Sequence, residues 1–271
     1  MQQLDIPVIR INERYMTEVW ILSDVHYGHK DFDREHFNVY MKWLASGKYH
    51  KVLGLGDYFE NALPVNGSAK MLWDQVLTPK EQLDGFIEML EPVKSKILGM
   101  ATGNHERRLR NDTSFDATEL LCKFLNVPFL GYMGWICLDS GSVQYYLHYH
   151  HGVGTSASAE GQLKKLENAG YHGADIRVIG HGHCLAWIPR TSMIVNRERG
   201  VVERRICHEI RSGGFLSEPE YAQVKMLSIS SIGSPIIRLH PKKKVIDVRM
   251  GLTTEGTYGF EDVPSEEIEV E

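Results

Sequence analysis

Apolar and polar positions follow two distinct periods along the first part of the chain. Val19-Trp20-Ile21-Leu22 is an unbroken apolar run of strand length and predicts a buried strand. Phe37, Tyr40, Met41 and Leu44 then recur at i, i+3, i+4 and i+7, the spacing of one helix face. A second short run, Val52-Leu53-Gly54-Leu55, predicts another strand. Leu83, Phe86, Ile87 and Leu90 repeat the helical spacing, and Pro92 lies just past them as a stop. Lys96-Ile97-Leu98 predicts a third strand. A β-α-β-α-β order needs crossover connections, so it predicts a parallel sheet.

The second half is richer in strands. Phe129 to Leu138 and Val143 to Tyr149 read as a pair about the turn Asp139-Ser140-Gly141-Ser142. A helix is expected over Ala159 to Ala169, with Gly170 as its stop. Ile176 to Ile179 reads as a buried strand, and residues 185–249 as a β-meander with a turn near Arg197-Glu198-Arg199-Gly200. Length alone suggests about two domains. No linker divides the chain, so residues 1–263 are expected to form one domain. Residues 264–271 carry four glutamates and read as a frayed acidic tail.

Composition narrows the class. Apolar content of 42% and charged content of 24% are ordinary for a globular protein. No apolar run approaches the ~20 residues that span a bilayer, and the N-terminus lacks a secretory apolar region, so no membrane partner is expected. Cys122, Cys137, Cys184 and Cys207 form neither a CxxC pair nor a disulfide pattern, which fits reduced thiols in the cytoplasm. A net charge of −5 argues against a general affinity for nucleic acid. A phosphate-handling site would need local positive potential, which metal ions could supply.

Five polar clusters follow predicted strands directly: Asp24-Val25-His26, Gly56-Asp57, Gly103-Asn104-His105-Glu106, His151-Gly152 and Gly180-His181-Gly182-His183. Ligands in open α/β sheets bind beyond the carboxyl ends of strands, so five strand ends could present these side chains to one place. Carboxylate, amide oxygen and imidazole suit manganese, iron, zinc or nickel. One ion needs three or four protein ligands. Asp24, His26, Asp57, Asn104, His151, His181 and His183 are too many for one ion and fit two, with one carboxylate shared. Asp24 and His26 alternate at a strand end, so only a turn lets both face one metal.

The order D-x-H, G-D, G-N-H-E, H-G, G-H-x-H resembles the calcineurin-like metallophosphoesterase pattern. It runs from residue 24 to residue 183, over half of the chain, with no element missing. Each piece alone is weak; the ordered set is specific. The resemblance implies an α/β fold, a four-layer αββα sandwich of two mixed β-sheets flanked by helices. It implies that Asp24, His26 and His183 hold one divalent metal, that Asn104, His151 and His181 hold a second, and that Asp57 bridges them. Manganese is favoured, with iron, zinc, nickel or cobalt as alternatives. His105 would face the substrate. Gly213-Gly214-Phe215 and Tyr221-Ala222 add a looser likeness to stand-alone phage and bacterial members.

The chemistry expected is hydrolysis of a phosphoester. Two divalent ions less Asp24, Asp57 and one hydroxide leave about one positive charge to receive a phosphate, and metal binding brings the pKa of water to about 7. His105, as imidazolium, would protonate the leaving group, with Glu106 orienting it. The expected substrate is a phosphodiester of a nucleotide or nucleic acid, with nucleotide monoesters as the runner-up. A metal scaffold without catalysis is disfavoured because every ligand is kept. A closed structural zinc site is disfavoured because the set is neither tetrahedral nor cysteine-rich. The sequence does not identify a protein partner.

Blander readings accompany several residues. His36, His50, His172, His208 and His240 have no partner at ligand spacing and read as surface or satisfied core histidines. His151 is preferred to His150 because the family histidine precedes glycine, and His150 stays the alternative. His29, on the first motif loop, could reach substrate. Cys184 reads as a buried small side chain. Among Arg107, Arg108 and Arg110, a solvated basic face weighs evenly against a phosphate-holding arginine, for which Arg107 is chosen. Gly54, Gly56 and Gly103 would let the backbone approach the metals. Lys242-Lys243-Lys244 reads as a strand-edge charge cluster. The long stretch after Asp57 is either a wall over the cleft or a packed helix pair.

Overall fold

Both faces of the first long strand are buried, and that sets the layering. In β2 (Thr17–Leu22), Val19 and Ile21 point one way and Trp20 and Leu22 the other, as a period of two requires. The computed structural model describes residues 5–64, 69–154, 159–168, 172–217 and 231–251. In the first sheet, β2 runs parallel to β3 (His50–Gly54), then come β4 (Ile97–Ala101) and β5 (Phe129–Gly131), also parallel. On the other side of β2 lie β11 (Pro235–Leu239) and β12 (Ile246–Met250), both antiparallel to their neighbours.

The second sheet contains β1 (Val8–Arg10), β6 (Met133–Asp139), β7 (Gln144–His150), β8 (Ile176–Ile179), β9 (Ala186–Asn196) and β10 (Val201–Arg211). Its order is β1-β6-β7-β8-β10-β9, with β6–β7 and β10–β9 antiparallel and the other pairs parallel. The two mixed sheets stack face to face. Val19, Ile21, Leu53 and Leu98 from one meet Ile136, Leu147, Val178 and Ile210 from the other.

The outer face of the first sheet is covered by α1 (Arg34–Ser46), α2 (Pro79–Leu90) and α4 (Ala117–Leu125). Each starts where the chain supplies a cap: Asp33 accepts from the His36 N–H, Thr78 and Glu81 form a capping box ahead of Pro79, and Asp116 accepts from Thr118 and Glu119. Phe86 of α2 lies among the rings of Tyr27, Phe37, Tyr58 and Phe59, so truncating it to alanine would cost about 3–5 kcal/mol. The outer layer of the second sheet is thinner. There α5 (Ala159–Asn168) places Leu163 on Ile179. Beside it, buried Glu209 accepts from Arg177 Nη1 at 2.7 Å and from Arg190 Nε at 2.5 Å. Arg190 also lies within 4.0 Å of Glu160 and Glu167 of α5. No helix among the described residues is long and apolar enough to cross a membrane.

The predicted strands and helices of the first half are present at their expected places, as is the four-layer arrangement. Two expectations change. The run from Phe129 to Leu138 is not one strand: Gly131, at φ 68°, turns the chain out of β5 and into β6 on the other sheet. Residues 185–249 are likewise not one meander, because β9–β10 and β11–β12 are hairpins of different sheets. Strand β1, helix α4 and helix α3 (Asn104–Thr113) were not anticipated. In α3 the only large apolar residue is Leu109, so no periodicity announces it; in α4, Leu121, Cys122 and Leu125 did carry a readable stripe. Lys242-Lys243-Lys244 lies in the β11–β12 turn, not along a strand edge. Lys244 reaches Asp175 at 2.5 Å and ties the turn to the second sheet. Gly170, Tyr221-Ala222 and the 264–271 tail lie outside the described residues.

Candidate metal centre

The five clusters stand where strands of both sheets end: Asp24 and His26 after β2, Asp57 after β3, Asn104 and His105 opening α3 after β4, His151 after β7, His181 and His183 after β8. Five of these residues have left-handed backbone: Asp24 (φ 52°), His26 (50°), Asp57 (53°), His181 (66°) and His183 (49°). Only a few per cent of non-glycine residues do this, and the strain persists only where surroundings enforce it. Here the enforcement is visible. Asp57 O accepts from both the Val25 N–H (2.8 Å) and the His26 N–H (3.0 Å), and Asp24 N–H donates to Gly56 O (3.0 Å). The left-handed turn is what brings Asp24 and His26 to the same side.

Gly56 and Gly103 meet back to back. Gly56 has φ 97°, and a Cβ there would run into the Gly103 backbone; one on Gly103 would run into Asp57. The approach these glycines allow is of backbone to backbone, not of backbone to open site. It lets the Glu106 carboxylate collect the N–H groups of Asp57 (2.9 Å), Tyr58 (2.7 Å), Phe59 (3.2 Å) and Gly103 (2.8 Å). Glu106 therefore pins the Asp57 loop to α3 and does not orient His105. Burial, with Asp57 nearby, pushes its carboxyl up to about 7.

The side chains converge on Asp57. Its Oδ2 is 3.2 Å from His151 Nε2 and 3.9 Å from His105 Nε2. His151 Nε2 is 2.9 Å from Asn104 Oδ1, and His151 Nδ1 donates to Leu55 O at 2.8 Å. On the other side His183 Nε2 is 3.3 Å from Asp24 Oδ1 and 3.2 Å from His26 Nε2. Asp24, His26 and His183 have ligand atoms within 4.8 Å of one another, and so do Asp57, His151 and His181. A third such group, His26, Asp57 and His105, joins the two. Asp24 Oδ1 is buried with no hydrogen-bond donor, and paired imidazole nitrogens face one another. An oxygen–nitrogen donor set with unfilled valences fits borderline divalent cations. The seven residues named from the sequence are all brought together.

Two mixed sheets stacked with helices outside, and five ordered motifs meeting at one end, decide the architecture. This chain has the four-layer αββα architecture that its resemblance to calcineurin-like metallophosphoesterases implied. No protein-family profile and no curated protein matches the sequence. Among solved structures, Vacuolar Protein Sorting 29 from Cryptosporidium parvum is 13% identical, with 87% of this chain and 98% of that chain covered and a TM-score of 0.47. A metallophosphoesterase from Sphaerobacter thermophilus is 12% identical over 87% of this chain and 88% of its own, with a TM-score of 0.43. A predicted phosphoesterase from Streptococcus pneumoniae TIGR4 is 13% identical over 90% and 92%, with a TM-score of 0.38. These likenesses are loose, and the four-layer architecture is read from this chain's own strand order and motif positions.

Around this frame lie residues that sequence reasoning missed. Buried Glu60 sets its Oε2 3.0 Å from His26 Nδ1 and 3.5 Å from His105 Nδ1, while its carbonyl accepts from His105 Nδ1 at 2.8 Å. It follows Asp57 by three residues, and that closeness was the available signal. Arg211, buried at the end of β10, donates to Gly182 O beneath the last motif loop. Arg108 lays its guanidinium on His105, with Nη2 3.0 Å from Nε2. The arginine named beforehand, Arg107, instead stacks on Tyr132 with 5.0 Å from Cζ to the ring centroid.

The fields in the site follow from these contacts. Burial lowers His105 to about 4, so its imidazole is neutral at pH 7 before any ion enters, where an imidazolium was expected. Burial also opposes protonation of His151, but the Asp57 carboxylate outweighs it and raises the group to about 9. The same two effects leave His26 raised, through Glu60, against its burial. Asp57 itself is held well below the carboxylate range: burial would raise it, and His151 and His105 prevail.

His150 takes no part in the cluster: its Nδ1 accepts from the Gly152 N–H at 2.7 Å and its ring meets Tyr132 edge-on. His29 is buried in the first loop, where Nδ1 accepts from the Asp31 N–H at 3.0 Å. His36 pairs with Asp33 and His50 with Glu18, as satisfied structural histidines. Cys184, beside His183, is half-buried.

Proposed function

We propose that this chain is a phosphodiesterase acting on nucleotides or nucleic acid through two divalent ions, manganese first among them. The observation that supports this most is the position of Asp57, whose carboxylate belongs both to a group with His26 and to a group with His151 and His181. Asp24, His26 and His183 would hold one ion and Asn104, His151 and His181 the other, with Asp57 within reach of both groups. Ions so placed supply an acidified water as nucleophile and positive charge opposite the phosphoryl oxygens. Leu55 O fixes the tautomer of His151 and Glu60 that of His26, so each presents Nε2 to its ion.

His105 is the substrate-facing imidazole. Its Nδ1–H is tied to Glu60 O, which directs Nε2 toward Asp57, the side on which a leaving oxygen would lie. The test is a paired assay of metal-free protein with bis- and mono-p-nitrophenyl phosphate, with manganese, nickel, zinc or magnesium added. Preference for the diester supports the reading; preference for the monoester replaces it with a phosphatase. Hydrolysis of neither with both ions bound leaves a scaffold. To serve a leaving oxygen, Nε2 would first have to take a proton, for which the ionising water is the source, and then hand it on; on this account His105→Ala is expected to cost little with p-nitrophenyl esters and much with nucleoside esters, whose leaving groups need a proton. Equal losses would remove His105 from the leaving-group side.

A further inference from the structure

Trp73 is 89% exposed, more than any other large apolar side chain described. It ends a short 3-10 turn, Ala69–Trp73, in the long stretch after Asp57. That stretch is sewn to the first motif loop: Lys30 N–H donates to Asp74 O at 2.7 Å, Val76 N–H to Gly28 O at 2.8 Å, and Lys30 Nζ pairs with Asp74 at 2.7 Å. On its other side Met71 Sδ accepts from Arg108 Nη1 at 3.0 Å, and Arg108 rests on His105. Trp73 thus stands on the rim between the His26 loop and α3, held there by its neighbours while its own ring packs on little.

The arginines of α3 are the second observation. Among the described residues neither Arg107 nor Arg108 has a carboxylate within 4.0 Å, although the chain as a whole is acidic. Successive residues on a helix diverge by about 100°. Arg108 therefore lies on the His105 side of Asp57, while Arg107, through Tyr132, lies on the His151 side; Tyr132 meets His151 with ring centroids 5.9 Å apart. Two guanidinium groups without counter-ions flank the point where the scissile phosphate belongs. A mononucleotide carries its charge on one side only. A strand carries a phosphate on each.

We infer that the site takes an internal phosphodiester of a single-stranded nucleic acid, with flanking phosphates on Arg107 and Arg108 and an unpaired base stacked on Trp73. This rests on the phosphodiesterase reading for its chemistry, but the binding can be measured apart from cleavage. A paired base has no free face for Trp73, so duplex is excluded by the same geometry that admits a strand.

The experiment is fluorescence anisotropy of the full chain with labelled dT8, U8 and an eight-base-pair duplex, once with a chelator and once with manganese. Single strands are expected to bind more tightly than duplex and more tightly than thymidine monophosphate; dT8 and U8 distinguish DNA from RNA. Trp73→Ala is expected to weaken dT8 or U8 about tenfold, the effect of one lost base stack. Arg107→Ala and Arg108→Ala should each reduce the salt slope by about one. Trp187→Ala, on the β9 hairpin, should change nothing. Undiminished binding by the Trp73 variant, or duplex bound as tightly as single strand, overturns the inference. Strand binding of this kind without diester cleavage in manganese would uphold the site and remove the reaction; cleavage of bis-p-nitrophenyl phosphate with no Trp73 effect would do the reverse.

Discussion

The Arg177–Glu209–Arg190 cluster and the Asp24–Asp57 cluster are both charged and largely buried, yet only in the first does each oxygen of the central carboxylate meet a guanidinium of the chain itself. Each Glu209 oxygen meets one guanidinium, at 2.7 and 2.5 Å. In the second cluster Asp24 Oδ1 has no donor, two imidazole Nε2 atoms face each other at 3.2 Å, and five backbones are held left-handed. Buried charge costs several kcal/mol per ion unless it is paired, and the oxygen and nitrogen donors of the second cluster suit a divalent cation. The closed one fastens α5 to its sheet; the open one is where chemistry is to be sought.

The comparison breaks most readily at Asp57. Asp57→Asn is expected to lower kcat/KM for bis-p-nitrophenyl phosphate roughly a thousandfold, since a lost metal effect is worth several kcal/mol. Elemental analysis should show fewer ions bound, and near-wild-type turnover would remove Asp57 as the shared ligand. Next comes Glu209→Gln, which leaves guanidinium groups without their anion and should destabilise by about 3–5 kcal/mol in urea unfolding. A change below about 1 kcal/mol would mean the cluster is solvated. Manganese at a hundred times its Kd should raise stability by about 2.7 kcal/mol for each ion bound, and by the same increment in the Glu209 variant, because the clusters are separate. No increment in either protein would argue that no ion binds. The smallest effect belongs to Glu60→Gln, expected to weaken metal affinity about 10- to 100-fold in calorimetric titration while sparing chelated stability. Unchanged affinity would make Glu60 a packing residue.

Legibility differed between the same two regions. The open cluster was readable because ligands must occupy strand ends in order, so Asp24, Asp57, His151 and His183 announced themselves by type and by neighbouring glycines. His151 and His150 could be ranked only by the following glycine, and the contact with Asp57 agrees with that ranking. The closed cluster was invisible: Arg177, Arg190 and Glu209 come from three strands, and nothing in local spacing reports that they pair. Glu60 and Glu106 show the same limit. Both follow a motif closely, but which imidazole or N–H each one meets depends on how two loops dock. Gly131 was read as an ordinary strand residue because a change of sheet leaves no mark on apolar periodicity.

Strand β11 enters beside β2, and Ser234 Oγ accepts from the Ile21 N–H, 213 residues away in sequence. At about 5–20 residues per second, a ribosome takes about ten to forty seconds to bridge that separation. Throughout that interval the strand leading to Asp24 and His26 has an open backbone edge. The nascent chain can assemble its parallel β2–β3–β4 unit early, but the first half of the candidate metal centre waits for the β11–β12 hairpin before its sheet is closed.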